Sequence, residues 1–541
     1  MPEYTLTVID ATGIQDYIFG SNRVPENVGA SQLVHQATTA WVRNSLPSDR
    51  HNLNPDDTIN TSRQLEADDT LDAEVILRGG GNVLILFRSP TIAREAVSKL
   101  TRRALTDAPG LELAVAHHTF AWDTPVGGED GAHRQLYARL NQAKQQRRRS
   151  APLMGLGVTL ECRATGMPAV GFDEDGRPVS ANVLAKLAKG IQNSAHSRLT
   201  TMFPLVERSG YLFRRDFGAL GGTEGEMSYI AVVHADGNGI GKRFERVIND
   251  YPNAAQNRDC LNALRALSEA VDAAGRDALQ ATVRRMMEVF QSPAAGQQVK
   301  DFLHNLHRDP ETGRPILPFR PIVYGGDDVT FVCDGRLGLT LAAIYLEEWE
   351  RATAENQTIG PAYACAGVAV VKTHYPFVRA YELAAELSDK AKKAIRDTGR
   401  DASALDWHFA MSGIGGGIEQ IRAREYVSME GQALNLRPLP LREPILKPDW
   451  STWTVFDRVT RTFQNDEYWR ERRNKVKELR EVLRQGSVAV KEFRHAYTLK
   501  PLPPIDTSKR DLQEQGWFGG ACGYFDAIEA LDFYLPLTEE R

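Results

Sequence analysis

Two stretches of the chain repeat one pattern of apolar and polar positions. Residues 4–15 read Tyr-Thr-Leu-Thr-Val-Ile-Asp-Ala-Thr-Gly-Ile-Gln, and residues 230–241 read Ile-Ala-Val-Val-His-Ala-Asp-Gly-Asn-Gly-Ile-Gly. Each is a short apolar run that ends in Asp and continues x-x-Gly-Ile. An apolar run closed by a Gly-containing turn predicts a buried strand. Asp10 thus corresponds to Asp236, and Gly13-Ile14 to Gly239-Ile240. Each copy has a second piece downstream. Glu74–Phe87 carries Gly79-Gly80-Gly81-Asn82 between two apolar runs, and Pro321–Val332 carries Gly325-Gly326-Asp327-Asp328. Small residues between apolar runs predict a β-hairpin. A further β-like run follows each, Leu113–His117 and Ala364–Val371. The order β–α–(α)–β–β–α–β, met twice, predicts two related α+β domains with antiparallel sheets.

The rest of the chain divides less sharply. Residues 48–72 are polar and predict a long, mobile loop, and residues 124–131 predict a break. Residues 151–222 show no regular period and are expected to be a connector. Pro438, Pro440, Pro444 and Pro448 predict a stiff linker over 437–448. Within Trp469–Gln485, Val476, Leu479 and Leu483 fall on one helical face, so a small helical domain is expected at the C-terminal end. The expected division is a first domain over 1–150, a connector over 151–222, a second domain over 223–446 and a helical domain over 447–541.

Composition narrows the function classes. Of 541 residues, 42% are hydrophobic and 25% charged, which suits a buried core and excludes wholesale disorder. A net charge of −5 argues against nucleic-acid binding by the whole surface. The 5 Cys are scattered, with no C-x-x-C pair, so neither a disulfide framework nor a structural zinc site is expected. No apolar run is long enough to cross a bilayer, and no signal segment is read at the start. A cytoplasmic protein is the expectation.

The candidate chemistry lies in Asp236 with Asp327 and Asp328. If the two strands are neighbours, these carboxylates converge at one end of the sheet, where they repel unless a cation joins them. Hard divalent ions such as Mg²⁺ or Mn²⁺ take oxygen ligands, and two of them suit an in-line phosphoryl or nucleotidyl transfer. The turn Gly237-Asn238-Gly239-Ile240-Gly241 precedes a predicted helix, whose N–H groups could cradle a triphosphate. Gly-Gly-Asp-Asp alone reads more readily as a solvated hairpin turn. The ordered, duplicated set carries the stronger reading.

These residues resemble the large polymerase/cyclase subunit of type III CRISPR effector complexes. The resemblance rests on Gly13–Phe19, Glu26–Ser31, His234–Gly241, Tyr324–Asp328, Tyr381–Ala384 and Ala404–His408, and is expected to span roughly residues 1–445 and the helical tail. It implies two ferredoxin-like palms of the polymerase/GGDEF-cyclase type, packed face to face. It also implies conversion of ATP into cyclic oligoadenylate second messengers in antiviral defence. Asp236, Asp327 and Asp328 match the family's catalytic, metal-binding carboxylates, and the Gly237 carbonyl a further metal contact. Gly239-Ile240-Gly241 matches its phosphate-binding turn, with Asn238, Gly325 and Gly326 beside it. Lys392 falls where a triphosphate-contacting lysine is expected, and Lys390 and Lys393 are its neighbouring alternatives. The first palm keeps Asp10 and Gly13 but has Gly81-Asn82 in place of the acidic pair. The resemblance therefore implies one catalytic centre facing one that binds the acceptor nucleotide. No His-Asp nuclease segment is read, and the family's zinc cysteines are missing, Cys162 standing alone.

Other features read as structural. His117 and His118 lack partners at ligand spacing, and His234 shares a strand face with Asp236 as a core histidine. Arg147-Arg148-Arg149 after Lys144 reads as a solvated basic helix end. Residues 470–484 hold seven Lys/Arg against three Glu, a candidate partner surface. The expected function is a metal-dependent cyclic oligonucleotide synthase acting on ATP or another NTP. An RNA or protein activator, CRISPR effector subunits and a downstream cyclic-nucleotide-sensing effector are the candidate partners, and no membrane is among them. The alternatives are a nucleotide-sensing scaffold of a ribonucleoprotein with little turnover, and a cyclic dinucleotide synthase.

Overall fold

A computed structural model describes residues 2–146, 157–213, 220, 228–410 and 416–537. The basic run Arg147–Arg149 lies outside the described residues. In the first repeat, β1 (Glu3–Thr12), β2 (Ala73–Gly79), β3 (Asn82–Phe87) and β4 (Glu112–Ala121) form an antiparallel sheet of order β2-β3-β1-β4. The two faces follow the strand period of two. Tyr4, Leu6 and Val8 face the helix Ala132–Gln146, whereas Ile9, Val83 and Ile85 face the helices Val24–Thr38 and Pro90–Asp107.

The connector is more structured than its sequence suggests. It holds a short hairpin, β5 (Gly171–Phe172) with β6 (Pro178–Val179), and the helices Ala181–Leu187, Lys189–Met202 and Pro204–Arg208. Each helix buries only one or two side chains, so no apolar period stands out. One of those is Lys186, whose ammonium donates to the Tyr17 carbonyl at 2.7 Å. Cys162 is buried and free.

The second repeat has the same core order. β7 (Tyr229–Gly237), β8 (Phe319–Gly325), β9 (Asp328–Asp334) and β10 (Ala364–Lys372) are extended by β11 (Ala404–Ala410), parallel to β10, and by β12 (Leu439–Pro440). The sheet runs β12-β11-β10-β7-β9-β8. The proline-rich stretch therefore supplies an edge strand, where missing N–H groups are tolerated. The tail holds six helices between Trp453 and Glu529 and a small hairpin, β13 (Trp517–Phe518) with β14 (Ala521–Cys522). Its core is continuous with that of the second sheet, Trp407 packing on Trp453 and Phe456.

The two palms are bolted together. The 35-residue helix Asn257–Gln291 of the second palm lies against the first sheet. Its Arg258 and Arg265 donate to the buried Glu74 of β2 at 2.6 and 2.8 Å. Asn257 holds the carbonyls of Trp122 and Thr124, both at 2.9 Å. On the other side Phe19 stacks on Tyr381 of the helix Phe377–Asp397, ring centroids 3.8 Å apart. The polar loop 48–72 is fixed rather than loose. Asn52 makes two hydrogen bonds to the Val75 backbone, and Arg88 clasps the carbonyls of Leu65, Asp68 and Leu71.

Candidate active site

Strand pairing brings the expected carboxylates to one end of the second sheet. Asp236, at the end of β7, stands directly opposite Asp328, the first residue of β9, so the two side chains share a face. Asp327 sits in the intervening tight turn. The Gly237 N–H donates to the Asp327 carbonyl at 3.1 Å, and a Cβ on Gly237 would lie 2.8 Å from that of Asp327. Gly237 is thus a glycine because the hairpin tip presses on it. Gly275, in the middle of the long helix, has the same cause: a Cβ there would meet the Gly326 carbonyl oxygen at 1.9 Å.

The carboxylates do not form a closed cluster. Among the described residues no group of three or more His, Cys, Asp or Glu side chains is gathered to hold a metal ion. Asp236 instead pairs with the Lys392 ammonium, which also donates to the Gly237 carbonyl at 3.4 Å. The lysine therefore rests on two of the expected metal contacts. Of its neighbours, Lys390 pairs with Glu419 at 3.1 Å and, with Lys393, lines a different cavity. The Asp328 Oδ1 atom is buried with no hydrogen-bond partner, 3.4 Å from His234 Nδ1. Burial, and after it the Asp236 charge, pushes the Asp327 carboxyl up and that of Asp328 up to about 7. A buried carboxyl oxygen without a partner, on acids disfavoured as bare anions, matches the donor chemistry of a hard divalent cation. His234 bonds to Thr330 Oγ1 at 3.1 Å, and burial lowers its basicity, so it supports β9 as a neutral core residue.

The turn after β7 leads into the helix Ile240–Asp250 through Gly239, which has φ 70°. The first N–H groups of that helix have no intrahelical partner. Ile240 and Gly241 open onto a cavity of 820 Å³ between the palms. Asp327 and Gly326 line it from the second hairpin; Gly79, Gly80 and Asn82 line it from the first. Asn238 is placed otherwise than its sequence context suggested. Its side chain turns away to the Ala402 carbonyl at 3.2 Å and to Cys365 Sγ at 3.5 Å, so it holds the turn onto the sheet. Gly325, with φ 143°, shapes the hairpin without lining the cavity.

Further lining residues were not legible in the sequence. His133, Tyr137 and Asn141 come from the helix Ala132–Gln146, and Ser268 and Asp272 from the long helix. Asp272 accepts from the Gly326 N–H at 3.3 Å and pairs with Arg276 at 2.9 Å. In the first palm Asp10 stands opposite Asn82, as Asp236 stands opposite Asp328, and it pairs with Lys144 at 2.7 Å. Lys144 is therefore no solvated helix end. His117 bonds to Thr7 at 2.9 Å within the sheet and His118 is buried.

Residues 229–404 match the family model of the Cas10/Cmr2 second palm domain. No curated protein matches the chain in sequence. Among solved structures, chains of the Csm1–Csm4 cassette share its fold. The cassette in complex with pppApApA matches at 14% identity and TM-score 0.50, over 98% of this chain and 69% of that one. The apo cassette matches at 14% identity and TM-score 0.50, over 98% and 70%. No helix among the described residues is long and apolar enough to cross a membrane. Over residues 229–404 the chain is thus similar to the Cas10/Cmr2 second palm domain, and the matching order of both sheets gives it two palm-like folds.

Proposed function

We propose that the protein is a nucleotidyltransferase that joins NTPs, ATP foremost, into a cyclic oligonucleotide signal within a type III CRISPR-like defence system. The observation that carries this is the cavity in which Gly326-Asp327 of one palm faces Gly79, Gly80 and Asn82 of the other, beside an open helix N-terminus. The helix N–H groups and Gly241 receive a triphosphate, since backbone donors and the helix dipole favour anions there. Lys392 leaves Asp236 for the phosphates as they arrive. Asp236, Asp327, Asp328 and the Gly237 carbonyl are the groups that would hold Mg²⁺ or Mn²⁺. Bound there, such ions would neutralise triphosphate charge and acidify the attacking 3′-hydroxyl. Ser268 and Asp272, on apolar walls that include Phe244, Ile248, Leu264 and Val271, offer polar contacts to a base.

The chain resembles proteins crystallised as Csm1–Csm4 cassettes, which suggests effector-complex subunits as partners. The domain division of the sequence reading, 1–150, 151–222, 223–446 and 447–541, is kept as part of this proposal. The test is mass spectrometry of products from purified protein with each NTP in Mg²⁺ or Mn²⁺. A cyclic product that is lost in Asp327→Ala/Asp328→Ala supports the synthase. Metal-dependent nucleotide binding without product, in the presence of partner subunits and target RNA, would favour the sensing scaffold instead.

A further inference from the structure

The two palms carry the same ion pair at the same place. Asp10 ends the first strand of its sheet, and Lys144 lies on the helix that follows the fourth strand. Asp236 and Lys392 stand at the corresponding points of the second sheet. What differs is the company. Around Asp236 there are two further carboxylates, so three acids face one lysine and the site carries a net formal charge of about −2 when all are ionised. Around Asp10 the matching positions are Gly81 and Asn82, so one acid faces one lysine and the site is neutral. A triphosphate carries several negative charges. It cannot approach the second palm without cations, but nothing in the first palm repels it in that way.

Lys144 does not itself line the shared cavity, but it lies on the helix face that does. Tyr137, Asn141 and Lys144 are spaced i, i+4, i+7 and so share one helix face, and Tyr137 and Asn141 line the cavity. Asn82 lines it too, and its side-chain oxygen is buried with no partner. The Thr12 hydroxyl donates to the same Asp10 Oδ2 atom at 3.1 Å, so that oxygen keeps a donor when the lysine leaves.

We infer that Lys144 is the residue with which the first palm holds the phosphates of its own nucleotide, and that it does so without any protein-held metal ion. The inference rests on the two-nucleotide reading of the preceding subsection. Its consequence is that one of two nucleotides binds in the absence of divalent cations.

The experiment is equilibrium dialysis of the full chain with α,β-methylene-ATP, in Mg²⁺ and in EDTA. The expected stoichiometry is two in Mg²⁺ and one in EDTA. Lys144→Ala should leave one in Mg²⁺ and weaken the EDTA-resistant site at least about tenfold, and Lys144→Arg should restore it. Asp327→Asn/Asp328→Asn, which leaves the second palm with the same neutral Asp–Lys pair as the first, should bind two nucleotides under both conditions. Wild-type protein that binds none in EDTA overturns the inference, as does Lys144→Ala protein that retains the EDTA-resistant site. An unchanged melting temperature for Lys144→Ala, with Lys144→Arg as the charge-preserving partner, separates lost contact from lost fold. Product assays keep the two readings apart. Cyclic product made by Asp327→Asn/Asp328→Asn sinks the synthase mechanism without touching Lys144. Normal synthesis by wild type with no EDTA-resistant site sinks Lys144's role alone.

Discussion

The two palms share a strand order, a hairpin and an Asp–Lys pair, yet differ at the two residues of one tight turn. In the second palm Asp327 and Asp328 crowd a third carboxylate; in the first, Gly81 and Asn82 leave Asp10 matched by a single lysine. In the second site burial and mutual charge push the acids up, and in the first a single acid meets a single lysine. A destabilised cluster that relaxes only when a ligand arrives is a familiar source of chemistry. Under the proposed function, the second palm is the reactive half and the first the receiving one.

The largest effect should come from erasing that difference. Asp327→Asn/Asp328→Asn makes the second turn amide-like, and the rate of product formation from labelled NTP should fall by about three orders of magnitude, with the melting temperature unchanged or raised. Next is the clamp that sets the two halves against each other. Glu74→Gln leaves Arg258 and Arg265 with weaker partners in a buried setting. Urea unfolding should show a loss of about 3 kcal/mol.

A smaller effect follows from protonation. The carboxyls of Asp327 and Asp328 titrate higher in the folded chain than in the unfolded one, so at intermediate pH the unfolded state holds fewer protons. Stability of the metal-free protein should therefore be greatest, as far as this pair decides it, near pH 4, and fall as pH rises to about 7. After discounting for solvent screening the fall should be about 2 kcal/mol. It should be absent in Asp327→Asn/Asp328→Asn and reversed by added Mg²⁺. The smallest change makes the first palm more like the second. Asn82→Asp sets a second carboxylate opposite Asp10, and nucleotide affinity in EDTA should drop about tenfold, ~1.4 kcal/mol, with recovery in Mg²⁺.

Much of this fold could be read from the chain because the strands announce themselves. β1 and β7 carry an Asp near their ends and each hairpin turn carries paired glycines, so the repeat and the hairpins follow from local pattern. Lys144 reads in the sequence only as part of a solvated basic helix end, because the helices after the two fourth strands, Ala132–Gln146 and Phe377–Asp397, share no wording. Tyr137, Asn141, Ser268 and Asp272 come together only through the docking of one palm on the other, which no local period encodes. Asn238 was misplaced for the opposite reason. Its side chain has the right chemistry for a ligand, but the Gly239 conformation aims the turn so that the amide reaches Ala402 instead. The connector hid its helices by burying few apolar residues in each.

The central claim, that protein-held metal belongs to the second palm alone, is tested most directly by Mn²⁺ titration followed by electron paramagnetic resonance, at saturating α,β-methylene-ATP. The account predicts that wild type holds Mn²⁺ beyond that carried by nucleotide in solution. That signal should vanish in Asp327→Asn/Asp328→Asn and persist in Lys144→Ala. Mn²⁺ still held tightly after both carboxylates are removed would contradict it.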